Sequence, residues 1–427
     1  VVCSGYPFEV SPVVGFGGRD IVPGDTRYSW GMPTYTATFT GGDSGTSQTH
    51  VFGNITNKTN TPQTATYIVT PTTVLGNCQG AAFTVVVTVN PTPEIGVLST
   101  VVCSGYPFEV SPAATFGGRD IVTTDTKYSW GMPTYTTTFT GGDSGTSQTH
   151  VFGRIRNTLN TQQTATYIVT PRADLGGCQG TPFTLTVTVN PTAEITAMSK
   201  ISCNGLLFEV SPTNLTNGIV PDGTLYSWDA PTFTTSISGG ASDSNKLLIS
   251  GTLFNESNVT QRAYYNVRPA SGNCSGAAFS LEVILNPTPV ITTMTTVTCS
   301  GVQFVVTPPN STNGIVPEGT TYTWLAPQVT ATMTGGESKS GQNSVYGNLL
   351  NRTNTVQTAT YSVIPNISNC GDGAAFTVIV TVNPTPEIGV LSTVTCSGVP
   401  FQVSPAATFG GRDIVTADTK YRWDVPG

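Results

Sequence analysis

The sequence repeats itself with a period of about 100 residues, and this feature constrains the fold most. Residues 1–90 and 101–190 are identical at 70 of 90 aligned positions. The first cysteines of the successive copies, Cys3, Cys103, Cys203, Cys299 and Cys396, are separated by 100, 100, 96 and 97 residues. Such a period is that of a whole domain and is too long for a solenoid unit. A chain of 427 residues also exceeds the size at which one hydrophobic core keeps growing.

Short Asn-Pro-Thr segments join the copies and set the predicted domain boundaries. The predicted domains are 1–91, which lacks its first strand, 92–191, 192–287, 288–384 and a partial fifth domain at 385–427. Proline fixes φ near −65° and favours an extended chain, so these linkers predict a semi-rigid rod with limited bending. The sequence begins without Met and stops within a copy, so we expect it to belong to a longer chain.

Within each copy the apolar residues alternate with polar ones. In the second copy Phe183, Leu185, Val187 and Val189 are separated by threonines, which indicates a half-buried strand. About seven such runs occur per copy, in the second at 94–100, 107–110, 127–130, 135–139, 149–152, 164–169 and 183–189. No segment has helical periodicity. The pattern predicts an all-β protein, a tandem array of antiparallel β-sandwich domains of immunoglobulin-like type.

One tryptophan recurs in each copy. The five are Trp30, Trp130, Trp228, Trp324 and Trp423. We predict that they are core aromatics between the two sheets, and the alternative is an exposed tryptophan that binds a ligand.

Nine cysteines occur at regular intervals. We predict one disulfide in each complete copy, pairing Cys3 with Cys78, Cys103 with Cys178, Cys203 with Cys274 and Cys299 with Cys370, and leaving Cys396 without a partner because its copy is incomplete. Disulfides imply an oxidising, extracellular compartment. Metal ligation and redox chemistry are the alternatives, but there is no Cys-x-x-Cys motif and the chain has two histidines.

Catalytic and metal-binding residues are scarce. A triad of Asp43, Ser44 and His50 is disfavoured because the aligned copies have Leu248 and Ser344 in place of the histidine. The carboxylates Asp20, Asp25 and Asp43, which recur as Asp120, Asp125 and Asp143, would bind Ca²⁺ only if loops brought them together, and turn residues are the preferred interpretation. We therefore predict no enzyme activity, no cofactor and no metal site.

Charge and hydropathy exclude two classes of partner. Charged residues are 10% of the chain and the net charge is −7, whereas nucleic acids and anionic lipids attract clustered Lys and Arg. The apolar runs are far shorter than the roughly 20 residues of a membrane-spanning helix. We expect neither nucleic-acid binding nor membrane insertion.

Several short motifs recur in every copy: Cys-Ser-Gly, Phe-x-Val-Ser-Pro, Tyr-x-Trp, Ala-Thr-Tyr-x-Val-x-Pro, Cys-x-Gly-x-x-Phe and Val-Asn-Pro-Thr-Pro, some in modified form. In these motifs the sequence resembles the PKD-like repeats of giant Bacteroidota surface proteins, in particular the SprB-like gliding-motility adhesins. The resemblance implies a cell-surface location, export by type IX secretion, attachment to the gliding machinery and contact with an external surface or polysaccharide.

Two functions from different classes follow. The first is the repeat shaft of a surface adhesin filament, which extends and transmits force for adhesion and gliding. The second is a set of glycan- or protein-binding modules in another secreted adhesin or enzyme. Self-association through strand edges is a weaker third possibility, because the polar, threonine-rich faces disfavour it.

Overall fold

The computed structural model describes residues 1–12, 21–36, 39–113, 120–135, 139–233, 235–330, 332–405 and 413–425. The described residues form β-strands and one short 3₁₀ helix at Leu175–Gly177. The predicted all-β class is confirmed. We call the four complete copies repeats 1 to 4, with the boundaries predicted above, and the last the partial repeat 5.

The strands are numbered in chain order. Repeat 1 contains β1 Val2–Cys3, β2 Pro7–Val10, β3 Thr26–Trp30, β4 Thr34–Tyr35, β5 Phe39–Gly41, β6 Gly45–Gln48, β7 Val51–Asn57, β8 Gln63–Thr73 and β9 Phe83–Asn90. Repeat 2 contains β10 Leu98–Cys103, β11 Pro107–Val110, β12 Thr126–Trp130, β13 Thr134–Tyr135, β14 Phe139–Gly141, β15 Gly145–Gln148, β16 Val151–Asn157, β17 Gln163–Ala173 and β18 Phe183–Asn190.

The later repeats follow the same order. Repeat 3 contains β19 Glu194–Ile195, β20 Met198–Cys203, β21 Leu207–Val210, β22 Gly218–Ile219, β23 Leu225–Trp228, β24 Thr232–Phe233, β25 Ile237–Gly239, β26 Asp243–Lys246, β27 Ile249–Asn255, β28 Gln261–Ser271, β29 Cys274–Ser275 and β30 Phe279–Asn286. Repeat 4 contains β31 Val290–Ile291, β32 Met294–Cys299, β33 Phe304–Val306, β34 Gly314–Ile315, β35 Thr321–Trp324, β36 Gln328–Val329, β37 Thr334–Gly335, β38 Lys339–Gln342, β39 Val345–Gly347, β40 Leu349–Leu350, β41 Gln357–Ile367, β42 Gly371–Asp372 and β43 Phe376–Asn383.

Each complete repeat is a sandwich of a larger and a smaller sheet. In repeat 2 the larger sheet has the order β10-β18-β17-β12-β15, with β13 beside β17, and the smaller has the order β11-β16-β14. In repeat 4 the second layer is divided into two pairs, β33-β39 and β37-β40. The described residues of the partial repeat 5 form one isolated bridge, between Glu387 and Ile414.

Alternating side chains from the two sheets form the core. Along β18 the residues Leu185, Val187 and Val189 are fully buried while the intervening threonines are half-buried. Aromatic rings fill the space between the layers; in repeat 4 the ring centroids of Phe304 and Tyr361 are 5.5 Å apart. The period-two pattern of the sequence therefore corresponds to burial on one face of each strand.

In each complete repeat the strand that ends on the first cysteine, called the first strand below, lies beside the last strand and runs parallel to it. β10 pairs with β18 from Leu98 opposite Leu185 to Cys103 opposite Asn190. The same pairing joins β20 to β30 and β32 to β43. Repeat 1 retains the end of this strand, since β1 pairs with the end of β9. The first cysteine of a repeat thus lies at the pole where the last strand ends and the linker begins.

The chain divides into two compact units. The first comprises 1–194, 213–224 and 270–277, and the second comprises 195–212, 225–269 and 278–427.

Candidate functional site: cysteine bridges between repeats

The cysteines pair between successive repeats, and the predicted pairing within repeats is wrong. Three disulfides are present, Cys3–Cys178, Cys103–Cys274 and Cys203–Cys370, with Cα–Cα distances of 5.5, 5.5 and 5.6 Å. In each of them the first cysteine of one repeat is bonded to the second cysteine of the next. The predicted bridges Cys3–Cys78, Cys103–Cys178, Cys203–Cys274 and Cys299–Cys370 are absent from the described residues.

The strand arrangement explains this correction. In repeat 2, Cys103 is level with Asn190 at the end of β18, whereas Cys178 precedes Phe183 at the start of that strand. Seven residue steps at about 3.3 Å place the two ends of β18 roughly 23 Å apart. A disulfide needs a Cα–Cα distance under about 7 Å. The two cysteines of one repeat therefore lie at opposite poles, and each can meet only a cysteine of a neighbouring repeat.

Three cysteines have no disulfide partner. They are Cys78, Cys299 and Cys396, and all three are exposed. Cys78 is the second cysteine of repeat 1, and the other two are first cysteines of repeat 4 and of the partial repeat 5. The rule that pairs the first cysteine of one repeat with the second of the next assigns none of them a partner within the 427 residues.

The chain next to the Cys3–Cys178 bridge is fixed by hydrogen bonds. The Ser4 amide donates to the Asn90 carbonyl at 2.8 Å. The Thr92 hydroxyl of the linker donates to the Ser4 carbonyl at 3.0 Å. The Asn57 amide donates to Ser4 Oγ at 2.8 Å. The first strand, the last strand and the linker are therefore tied together at the pole that carries the bridge.

A buried asparagine completes this pole, and sequence reasoning missed it. Asn57 is 0% exposed. Its Nδ2 donates to the Val89 and Thr61 carbonyls, both at 2.9 Å, and its Oδ1 accepts from the Thr59 amide at 2.9 Å. Equivalent asparagines are buried in the other repeats at Asn157, Asn255 and Asn351. The sequence carries a signal for them. An asparagine recurs at this position in all four copies, and in three of them Thr or Ser follows two residues later.

An ion pair accompanies the bridge between Cys103 and Cys274. Arg156 on β16 contacts Glu194, the first residue of β19, through two guanidinium nitrogens. This hydrogen bond and charge raise the pKa of Arg156. Both side chains are about half exposed, so the pair contributes little to stability compared with the disulfide.

The predicted core tryptophans occupy the sandwich in the four complete repeats. Trp30, Trp130, Trp228 and Trp324 are 5%, 5%, 3% and 2% exposed. Each indole Nε1 donates to a backbone carbonyl 13 residues later, at 2.9 to 3.1 Å. Trp423 is 84% exposed, so its prediction as a core residue is wrong for this chain. The described residues of the partial repeat 5 form one isolated bridge and no sandwich around this tryptophan.

The triad residues and carboxylates have structural contacts. His50 Nδ1 lies 3.6 Å from Glu9 Oε1 and 2.9 Å from Thr49 Oγ1, and Asp43 accepts a hydrogen bond from the Asn54 amide at 3.1 Å. In the same way Asp25 accepts from the Leu75 amide at 2.7 Å.

The second copy repeats these contacts. Asp125 accepts from the Leu175 amide at 2.5 Å, Asp143 from the Arg154 amide at 2.9 Å and Asp120 from the Gly96 amide at 2.9 Å. His150 Nδ1 lies 3.7 Å from Glu109. Asp20 lies outside the described residues. These side chains stabilise turns and loop ends.

No group of three or more His, Cys, Asp or Glu side chains in the described part of the chain is arranged to hold a metal ion. No helix in the described residues is long and apolar enough to cross a membrane.

Comparison with protein families decides what kind of repeat this is. The model of the PKD-like domain matches four times, at residues 18–93, 100–193, 200–289 and 295–386, once in each complete repeat. The chain belongs to the PKD-like domain family. No curated protein has significant sequence similarity to it.

Several solved structures align along much of the chain with low identity. The human desmocollin-1 ectodomain is 12% identical, with a TM-score of 0.26, over 93% of this chain and 83% of that one. Drosophila N-cadherin EC1-4 is 10% identical, with a TM-score of 0.22, over 86% and 93%. Sidekick-1 immunoglobulin domains 1–4 are 8% identical, with a TM-score of 0.18, over 90% and 96%.

Proposed function

We propose that this PKD-like array is the repeat shaft of an extracellular adhesin filament, which extends from the cell surface and transmits force during surface adhesion and gliding. The observation that carries the proposal is the disulfide between each pair of successive complete repeats. Such a bond is a second covalent connection between the two repeats, besides the Asn-Pro-Thr linker. Two covalent connections between successive repeats suit a chain that carries tension from one end to the other.

Two further features support an exterior location. Disulfides persist in oxidising compartments and are rare in the cytosol. The polar surface is composed mainly of uncharged Thr, Ser, Asn and Gly rather than of charged residues. By the motif resemblance, the partners proposed for this shaft are the type IX secretion and gliding machinery and an external surface or polysaccharide.

Immunogold electron microscopy of intact cells tests the location and form of the protein. Antibodies raised against the 427-residue chain should label filaments that project from the cell surface. Labelling confined to the interior, or to compact particles in the medium, would contradict the proposal. In solution, small-angle scattering should give a maximum dimension of about 160–190 Å, from four and a half domains of roughly 40 Å; a collapsed particle under about 100 Å would contradict it.

A glycan array separates the shaft from an array of binding modules. Two-repeat proteins covering repeats 1–2 and repeats 3–4 should bind no glycan if the repeats are spacers. Saturable binding by both would favour the recognition function instead.

A further inference from the structure

The disulfides and the strands that they flank form a continuous covalent pattern. The second cysteine of each complete repeat is followed by the last strand, the linker and a segment that ends on the first cysteine of the next copy. Four such segments occur, at 78–103, 178–203, 274–299 and 370–396. Each of them is about 26 residues long and contains the last strand of one repeat and the linker, and in the first three the strand that ends on the next cysteine follows.

The bridges connect these segments into two separate routes. In the first route, Cys3 is bonded to Cys178, the segment 178–203 follows, and Cys203 is bonded to Cys370. In the second route, the segment 78–103 is bonded through Cys103 to Cys274 and continues to Cys299. Every complete repeat contributes its first strand to one route and its last strand to the other. Apart from the two-residue strands β19, β29, β31 and β42, the remaining strands belong to neither route.

We propose that the first route carries the force between the two termini of this chain and that the rest of each sandwich, the second route included, is protected from tension. The inference deepens the proposed function, because it rests on the array being pulled from its ends. Tension follows the shortest covalent path between the points of attachment. With the disulfides formed, that path between the two termini is 1–3, 178–203 and 370–427, so unfolding the bypassed residues cannot lengthen the chain beyond it.

The first route avoids a weakness of ordinary sandwiches. When a chain enters by the first strand and leaves by the last, tension must pass between these strands and shears their hydrogen bonds. In repeats 2 and 3 each of these strands is covalently anchored at both ends, by the linker at one and by a disulfide at the other. On the first route these strands are β18 in repeat 2 and β20 in repeat 3, so tension passes along one strand of each sandwich. It does not have to cross the pairing of β18 with β10 or of β20 with β30, and little shear develops there.

The length of the shortest path gives the magnitude. It contains about 87 residues, which stretch to roughly 300 Å at about 3.5 Å per residue, whereas the reduced chain of 427 residues stretches to roughly 1,500 Å. Disulfides within each repeat would instead leave about 139 residues in the path, or roughly 490 Å.

Single-molecule pulling of the 427-residue chain through terminal peptide tags tests the inference. The exposed thiols are first alkylated under native conditions. The oxidised protein should reach a limiting length of roughly 300 Å without the steps of unfolding repeats. After reduction it should unfold repeat by repeat to about five times that length. An oxidised chain that unfolds repeat by repeat, or that stretches to roughly 490 Å, overturns the inference.

A matched pair of variants isolates one bridge. Cys203→Ser opens the first route. The shortest path then runs from Cys3 to Cys178, back along the chain to Cys103, and from Cys274 to the C-terminus, and it is roughly 500 Å longer. Cys299→Ser changes the equivalent cysteine of repeat 4, which has no partner, and should leave the limiting length unchanged. Equal lengthening by both variants would overturn the inference. If Cys203→Ser folds poorly, the limiting lengths of the oxidised and reduced wild-type chains still test it. A chain that responds as expected but is absent from surface filaments would overturn only the proposed function.

Discussion

Replacing Cys178 with serine removes the bridge to Cys3, whereas the same change at Cys78 removes none. The two cysteines occupy equivalent positions in repeats that are identical at 70 of 90 aligned positions, so each variant is the control for the other. We expect Cys178→Ser to destabilise repeat 2 strongly and Cys78→Ser to change the stability of repeat 1 very little.

The magnitude follows from the loop that the bridge closes. With repeat 1 folded, Cys3 lies beside Asn90, where the linker to repeat 2 begins. An unfolded repeat 2 is therefore held at both Asn90 and Cys178, and the closed loop is about 88 residues. In the chain-entropy treatment a loop of this size stabilises the folded repeat by about 4–5 kcal/mol. The exposed Cys78 offers no such constraint, so its replacement should cost under about 0.5 kcal/mol.

Native-state hydrogen exchange with mass spectrometry reports each repeat separately. Amides of β17 in repeat 2 should lose about three orders of magnitude of protection in Cys178→Ser, and amides of β8 in repeat 1 should be unchanged in Cys78→Ser. Peptide mapping without reductant should recover Cys3 linked to Cys178. Comparable losses in the two variants, or a peptide that links Cys3 to Cys78, would refute the pairing between repeats.

Three more predictions concern the core of repeat 4. Asn351→Ala removes hydrogen bonds to the Thr355 and Val382 carbonyls inside the sandwich and should lower the free energy of unfolding, measured by guanidinium titration, by about 2–3 kcal/mol. The control Asn354→Ala changes an exposed asparagine and should leave this free energy unchanged. Equal effects of the two variants would contradict the role of Asn351. Tyr361→Phe removes a buried hydroxyl that has no hydrogen-bond partner in the described structure, so the variant should be about 1 kcal/mol more stable by thermal denaturation, and a clear loss of stability would contradict this. Burial raises the pKa of Tyr361 from 10.0 to about 12. The folded repeat holds the proton of the Tyr361 hydroxyl more tightly than the unfolded chain does. The contribution of this proton to the free energy of unfolding is therefore complete below pH 10 and declines as the pH rises towards 12. Circular dichroism of alkylated protein should show a smaller loss of stability over this pH range in Tyr361→Phe than in wild type.

The sequence by itself determined the class of fold and the number of domains. The period of about 100 residues gives the repeats, and alternation such as that of Phe183, Leu185, Val187 and Val189 gives strands that bury one face. These are local signals, because side chains on a strand point alternately to the two faces whatever the topology. The same local logic placed Trp30 and its equivalents in the core. It failed at Trp423, which is exposed because the described residues of the partial repeat 5 form no sandwich.

Only the tertiary structure decided which cysteines meet. The distance from Cys3 to Cys78 and the distance from Cys3 to Cys178 differ by one period, so no count of residues distinguishes pairing within a repeat from pairing between repeats. What distinguishes them is the parallel pairing of the first strand with the last, which brings together residues far apart in sequence and puts the two cysteines of a repeat at opposite poles. Strand order and direction depend on contacts across the whole domain, and the bridges between repeats follow from them.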